Sequence, residues 1–194
     1  MKYTSSILVS LLALASATPV KVAKRQVPQE QSHSIYLQIV QEFLILDNPL
    51  AILDPVFGLL GNAAAAAGVE DPDAINLDCL KQLTADQAFT NAKAIKDVRG
   101  MAAALVYQAL ERNTGSVGLE SVICPEDAVN PEIAAFDQHQ DPAAEGAQEG
   151  NKVIVLELAK QLALIGVNPL LALESGTFAP GDVSHTPATT AEGS

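Results

Sequence analysis

The run Asp137-Gln138-His139-Gln140-Asp141 places one imidazole between two carboxylates. That trio suits a metal ligand set or a general base, because histidine titrates near neutrality and a carboxylate can orient its ring. The run falls between two segments of helical period, where polar loops are ordinary, and it reads as a solvated loop. His33 and His185 lie near the two ends of the mature chain and are expected to be exposed. Glu70, Asp71, Asp73 and Asp78 form an acidic patch attractive to calcium. The D-x-[DN]-x-[DN]-G spacing of an EF-hand is missing, so the patch reads as a solvated linker. Gly115-Ser116-Val117-Gly118 misses the spacing of a G-x-S-x-G nucleophile elbow. Neither a phosphate-cradling glycine loop nor an H-E-x-x-H pair occurs. These residues assemble no constellation for catalysis, and no catalytic residue, metal ligand or cofactor is assigned.

Two cysteines are present, Cys79 and Cys124. Neither has a Cys or His at ligand spacing, which disfavours a metal site. In an exported chain such a pair reads as one disulfide. In the chain-entropy view, closing a loop of that length stabilises a fold by about 4 kcal/mol.

Export is expected from the first residues. Lys2 supplies a positive charge, Ile7 to Ala15 are apolar except for Ser10, and Ala15-Ser16-Ala17 forms an A-x-A cleavage site. The apolar run is much shorter than the roughly 20 residues that span a bilayer. Cleavage is expected after Ala17. The dibasic pair Lys24-Arg25 follows at the end of a short polar segment and resembles a fungal pro-peptide site. The expected organisation is a signal peptide over 1–17, a pro-segment over 18–25, a helical domain over 26–176 and a disordered tail over 177–194. The tail holds Pro180, Gly181, Ser184, Thr186, Pro187, Thr189 and Thr190, which suits flexibility and O-linked sugars. It ends without the apolar stretch of a GPI signal. No Asn-x-Ser/Thr sequon occurs.

Processing removes four cations and no acid, which moves the formal charge from −12 to −16. Such a charge repels nucleic-acid phosphates and anionic lipid. Hydrophobic residues make up 48% of the chain, so a folded domain is expected, and the absence of Trp leaves its core to Leu, Ile, Val and Ala.

The elements that must position these residues are helical. Residues 34–46 repeat Ser34, Gln38, Gln41 and Glu42 as a narrow wet stripe on an otherwise apolar segment. Residues 85–112 carry Ala88, Ala92, Ile95, Ala102, Val106 and Ala109 at spacings of three, four or seven. Thr84 with Gln87 forms a capping box before this run, and Gly115 stands where a C-terminal cap belongs. Gly100, inside the run, marks a break or a close helix contact. Residues 143–165 form a third helix, whose Glu157, Lys160 and Gln161 argue against a membrane span. Asx-Pro pairs at Asn48, Asp71, Asn130, Asp141 and Asn168 are expected to start several helices. Asn48-Pro-Leu-Ala-Ile-Leu53 and Asn168-Pro-Leu-Leu-Ala-Leu173 are near copies, read as two similar helix–turn–helix solutions rather than a duplication. Val117 to Ile123 is the single strand candidate, and one strand makes no sheet. The expected fold is all-α, an irregular bundle of about five to seven helices with one disulfide and a flexible C-terminal tail.

Ala103 to Gly115, Asn130-Pro-Glu-Ile-Ala-Ala135, Gln138-His-Gln-Asp-Pro142 and Asn151 to Lys160 together resemble a group of small secreted proteins of filamentous fungi, some of them cell-wall or conidial-surface proteins. The resemblance covers roughly the last half of the mature chain. It implies surface or extracellular residence, and it carries no catalytic residues. The expected function is therefore non-enzymatic: coating or masking the surface and affecting recognition by a host. The partners would be cell-wall components or host surface proteins. The alternatives are a freely secreted effector that binds a host protein and a helical carrier of a small apolar ligand.

Overall fold

The structure is a computed structural model that describes residues 33–176. The expected processing residues Ala17, Lys24 and Arg25, the tail from 177 and His185 lie outside the described residues. Among those described there are six α-helices: α1 (Ser34–Leu44), α2 (Asn62–Ala65), α3 (Leu80–Ala94), α4 (Val98–Ala109), α5 (Pro131–Ala134) and α6 (Ala147–Leu164). Short 3-10 segments lie at Pro55–Leu59, Ala66–Gly68, Leu77–Cys79 and Pro169–Ser175. The described residues contain no strand, only an isolated antiparallel bridge between Ile52 and Val69. The fold is all-α, an irregular bundle closed by one disulfide between Cys79 and Cys124.

Helix α1 buries Tyr36, Val40, Phe43 and Leu44, whose spacings of four, three and one put them on one face. That face packs on α3 and α4, which lie against each other as the central pair of the bundle. Leu158 and Leu162 of α6 and Ala172 close the main core from the other side. A second, smaller core gathers Leu44, Ile52, Ala65, Val69 and Leu80.

The periodic run over 85–112 is two helices, not one. Lys96 takes a left-handed backbone (φ 60°), and Asp97 then caps α4, its carboxylate accepting from the Gly100 N–H at 3.0 Å. The Asp97 N–H donates back to the Ala92 carbonyl at 2.9 Å, closing the end of α3. Apolar period continues across this break because both helices face the same core, so periodicity alone could not locate it. Gly100 is the site of close packing: a Cβ there would lie 2.5 Å from the Phe43 ring and 2.7 Å from Ala92 Cβ.

The expected capping box is also overturned. Thr84 sits inside α3, where its hydroxyl donates to the Leu80 carbonyl at 2.7 Å. The segment begins further upstream, where Asn76 accepts from the Asp78 N–H at 3.1 Å. Gly115 caps nothing, since α4 ends at Ala109. Helix α6 ends instead at Gly166 (φ 80°), with the Val167 N–H donating to the Leu162 carbonyl at 2.9 Å.

Of these Asx-Pro pairs, Asn130-Pro131 opens α5 and Asn168-Pro169 opens a 3-10 segment; a sixth pair, Asp54-Pro55, opens the 3-10 segment Pro55–Leu59. The pairs at Asn48, Asp71 and Asp141 make turns. The two near-copies do not share a conformation. Asn168 caps the Leu170 N–H at 3.0 Å and a 3-10 segment follows. Asn48 instead grips Ile52 through both amide atoms, at 2.7 and 3.0 Å, around Ala51 at φ 50°. The difference comes from Ile52, which leaves the turn to pair with Val69 and fill the second core.

Candidate functional site

The Asp137–Asp141 run crosses the bundle between α5 and α6 and is not a solvated loop. Gln138 Nε2 donates to Ser121 Oγ at 2.7 Å and to the Val122 carbonyl at 3.0 Å. Gln140 Oε1 accepts from the Ser121 N–H at 2.6 Å, and its backbone exchanges two bonds with the Asn151 side chain at 2.8 and 2.9 Å. Asp141 accepts from the N–H groups of Gly118 at 3.1 Å and Ala143 at 2.8 Å. The polar residues of this run therefore tie the irregular chain around 118–122 to the start of α6. Buried backbone groups must be paired, and an irregular segment with no ladder of its own pairs them with side chains.

His139 points the other way. Its backbone N–H donates to the Ala109 carbonyl at 2.9 Å, and the residue is 1% exposed. Neither ring nitrogen has a hydrogen-bond partner. Burial, reinforced by the nearby Lys81, pushes its pKa down to about 4; the Ser175 backbone acts in the opposite direction and His33 adds to the depression. The ring is neutral at pH 7, and its closure from solvent keeps substrates and ions away from it. His33, expected to be exposed, is also buried, and burial lowers its pKa despite the neighbouring Glu174.

Two further bases lie in the same interior. Lys81 is 1% exposed, with Nζ donating to the Gln108 carbonyl in the last turn of α4. Burial first, then Arg112, holds its pKa well below the usual lysine range, and Asp137 offsets this in part. Arg112 is 3% exposed and donates to the carbonyls of Leu60 at 3.0 Å, Leu77 at 3.2 Å and Asp78 at 3.3 Å. Both side chains satisfy carbonyls that segment ends leave without partners.

The acidic patch divides. Glu70, Asp71 and Asp73 are exposed, whereas Asp78 pairs with Arg112 at 3.4 Å. Among the described residues no three metal-ligating side chains converge. No described helix is long and apolar enough to cross a membrane.

An open groove of about 810 Å³ runs along α1. Its lining includes Gln38, Gln41 and Glu42, so the polar stripe read from the sequence forms a wall of this groove, facing Val56, Leu59 and Leu60.

No protein-family model, curated protein or solved structure matches this chain. A functional reading rests on the residues themselves.

Sequence reasoning missed the buried bases, although one signal was present. Lys81 falls in phase with Ala85, Ala88 and Ala92, all buried on one stripe of α3. A lysine in register with an apolar stripe is a candidate interior lysine. His33 carried no comparable signal, because what buries it is the distant segment around Glu174 to Gly176.

Proposed function

We propose that this is a non-enzymatic secreted protein of the fungal cell wall or conidial surface, which coats or masks that surface and alters recognition by a host. The observation that carries the reading is the Cys79–Cys124 disulfide. Such bonds form and persist along the oxidising export route, and Lys2 to Ala17 has the pattern of an export leader. The resemblance to small secreted wall proteins supports the same reading. The use of the reactive side chains agrees with it: His139 is sealed in the core, and Asp141 is spent on backbone N–H groups. Immunolocalisation on intact spores, before and after washing, tests the proposal. It predicts label retained on washed walls, and changed exposure of wall polysaccharide in a deletion strain. Protein found only in the medium, with an unchanged surface in the deletion strain, would favour an effector that binds a host protein.

A further inference from the structure

In a chain of formal charge −12, four basic side chains are buried close together: His33, Lys81, Arg112 and His139. The 3-10 segment Pro169–Ser175 runs past two of them. Ser175 is fully buried, with its backbone beside the His139 ring, and Glu174 and Gly176 flank His33. Two contacts hold this segment down and a third stiffens it from within. Tyr36 of α1 donates its hydroxyl to the Glu174 carboxylate, Ala172 inserts into the main core, and the Ser175 hydroxyl donates to the Ala172 carbonyl at 2.7 Å.

We propose that Pro169–Ser175 is an acid-released cover. Protons entering the buried histidine pair lift it off the bundle and expose the core beneath, and neutralisation reseats it.

Four charged groups bear on the pair, directly or through one another. Helix α3 contributes Lys81, and the chain after α4 contributes Arg112, which lies beside Lys81. Asp137, at the start of the crossing run, favours the lysine charge, and Glu174 of the cover favours the His33 charge. Both ring nitrogens of His139 and Nε2 of His33 lack partners. A proton on His139 would therefore create a desolvated cation next to other cations, with only the Ser175 backbone to offset it. Lifting the cover brings water to the ring and removes that cost. The closed form resists protonation to about pH 4, while a solvated histidine takes its proton near 6.5. The open form therefore gains on the closed one as pH falls through this window, by at most about 300-fold for His139 alone. The device would respond to acidification around the protein. It is independent of the surface role, since it can be read on purified protein.

Hydrogen exchange of the secreted protein, corrected for the intrinsic pH dependence of exchange, tests it. Amides of 170–176 should lose protection by ten- to several-hundred-fold between pH 7 and pH 4, while those of α3 and α4 hold theirs. His139→Phe should flatten most of this dependence. Glu174→Gln, which weakens the latch but leaves both histidines, should open the cover at higher pH and keep the slope. Equal protection of 170–176 at pH 7 and pH 4 would overturn the proposal, as would an unchanged slope in His139→Phe. If His139→Phe fails to fold, the imidazole NMR titration of the unaltered protein decides. An apparent pKa near 6.5 for His139 with the cover still protected would also overturn it.

Discussion

Asp86 and Asn130 are joined by three hydrogen bonds, and their separation of 44 positions along the chain nearly matches the 45 that separate Cys79 from Cys124. Asn130 donates its backbone N–H at 2.9 Å and its amide at 2.7 Å to one carboxylate oxygen of Asp86, and its amide also reaches the Asp86 carbonyl at 3.2 Å. The other carboxylate oxygen accepts the Val129 N–H at 2.8 Å. Two cross-links thus close almost the same loop onto α3, one covalent and one polar. Asp86→Ala leaves the buried N–H and amide of Asn130 without their carboxylate acceptor and should cost about 1–3 kcal/mol in urea denaturation.

Removing the disulfide through Cys79→Ser with Cys124→Ser should cost up to about 4 kcal/mol by chain entropy, with far-UV circular dichroism keeping its helical form. Because the polar link closes nearly the same loop, combining these changes with Asp86→Ala should depart from additivity. A double-mutant cycle measures the coupling, and a value near zero would show that the two links act on separate structure.

Lys81→Met removes the desolvation of a buried ammonium and keeps the volume, but it leaves the Gln108 carbonyl without its donor, so the two effects should offset to within about 1–2 kcal/mol at pH 7. The direction with pH also follows. The folded-state pKa lies well below the ordinary lysine value of 10.5. Over that window the unfolded chain holds the extra proton, so wild-type stability rises with pH towards 10.5 and falls as pH drops through it. Urea melts at pH 7 and pH 9 should show this slope in the wild type and its loss in Lys81→Met.

Gly100→Ala sets helix propensity against packing. The gain in propensity is about 1 kcal/mol. The added Cβ would sit 2.5 Å from the Phe43 ring, a clash that costs about 1–3 kcal/mol where two helices cannot separate freely. A thermal midpoint several degrees lower is expected, and an unchanged or higher midpoint would mean that α1 moves away easily.

Mass spectrometry of protein from culture fluid should find no residue before Thr18 and a principal N-terminus at Gln26. Met1 retained on exported protein would remove the basis for the proposed location.

Helical class was legible in the sequence because it rests on local order. The apolar repeat of 34–46 and the run of 143–165 hold whatever packs on them, and α1 and α6 appear within a few residues of those bounds. The cysteine pair was legible for a similar reason, since two thiols with no ligand partners leave few arrangements. The tertiary structure alone decided the rest. Two near-identical hexapeptides became a turn and a 3-10 segment because only Ile52 found a partner in Val69. One apolar run became α3 and α4 because Asp97 captured the Gly100 N–H. A histidine flanked by carboxylates lost its solvent because Lys81, from α3, and Ser175, 36 residues further along the chain, closed on it. Periodicity is set by neighbours in the chain, whereas burial and charge state are set by neighbours in space, and those arrive only when the chain has folded.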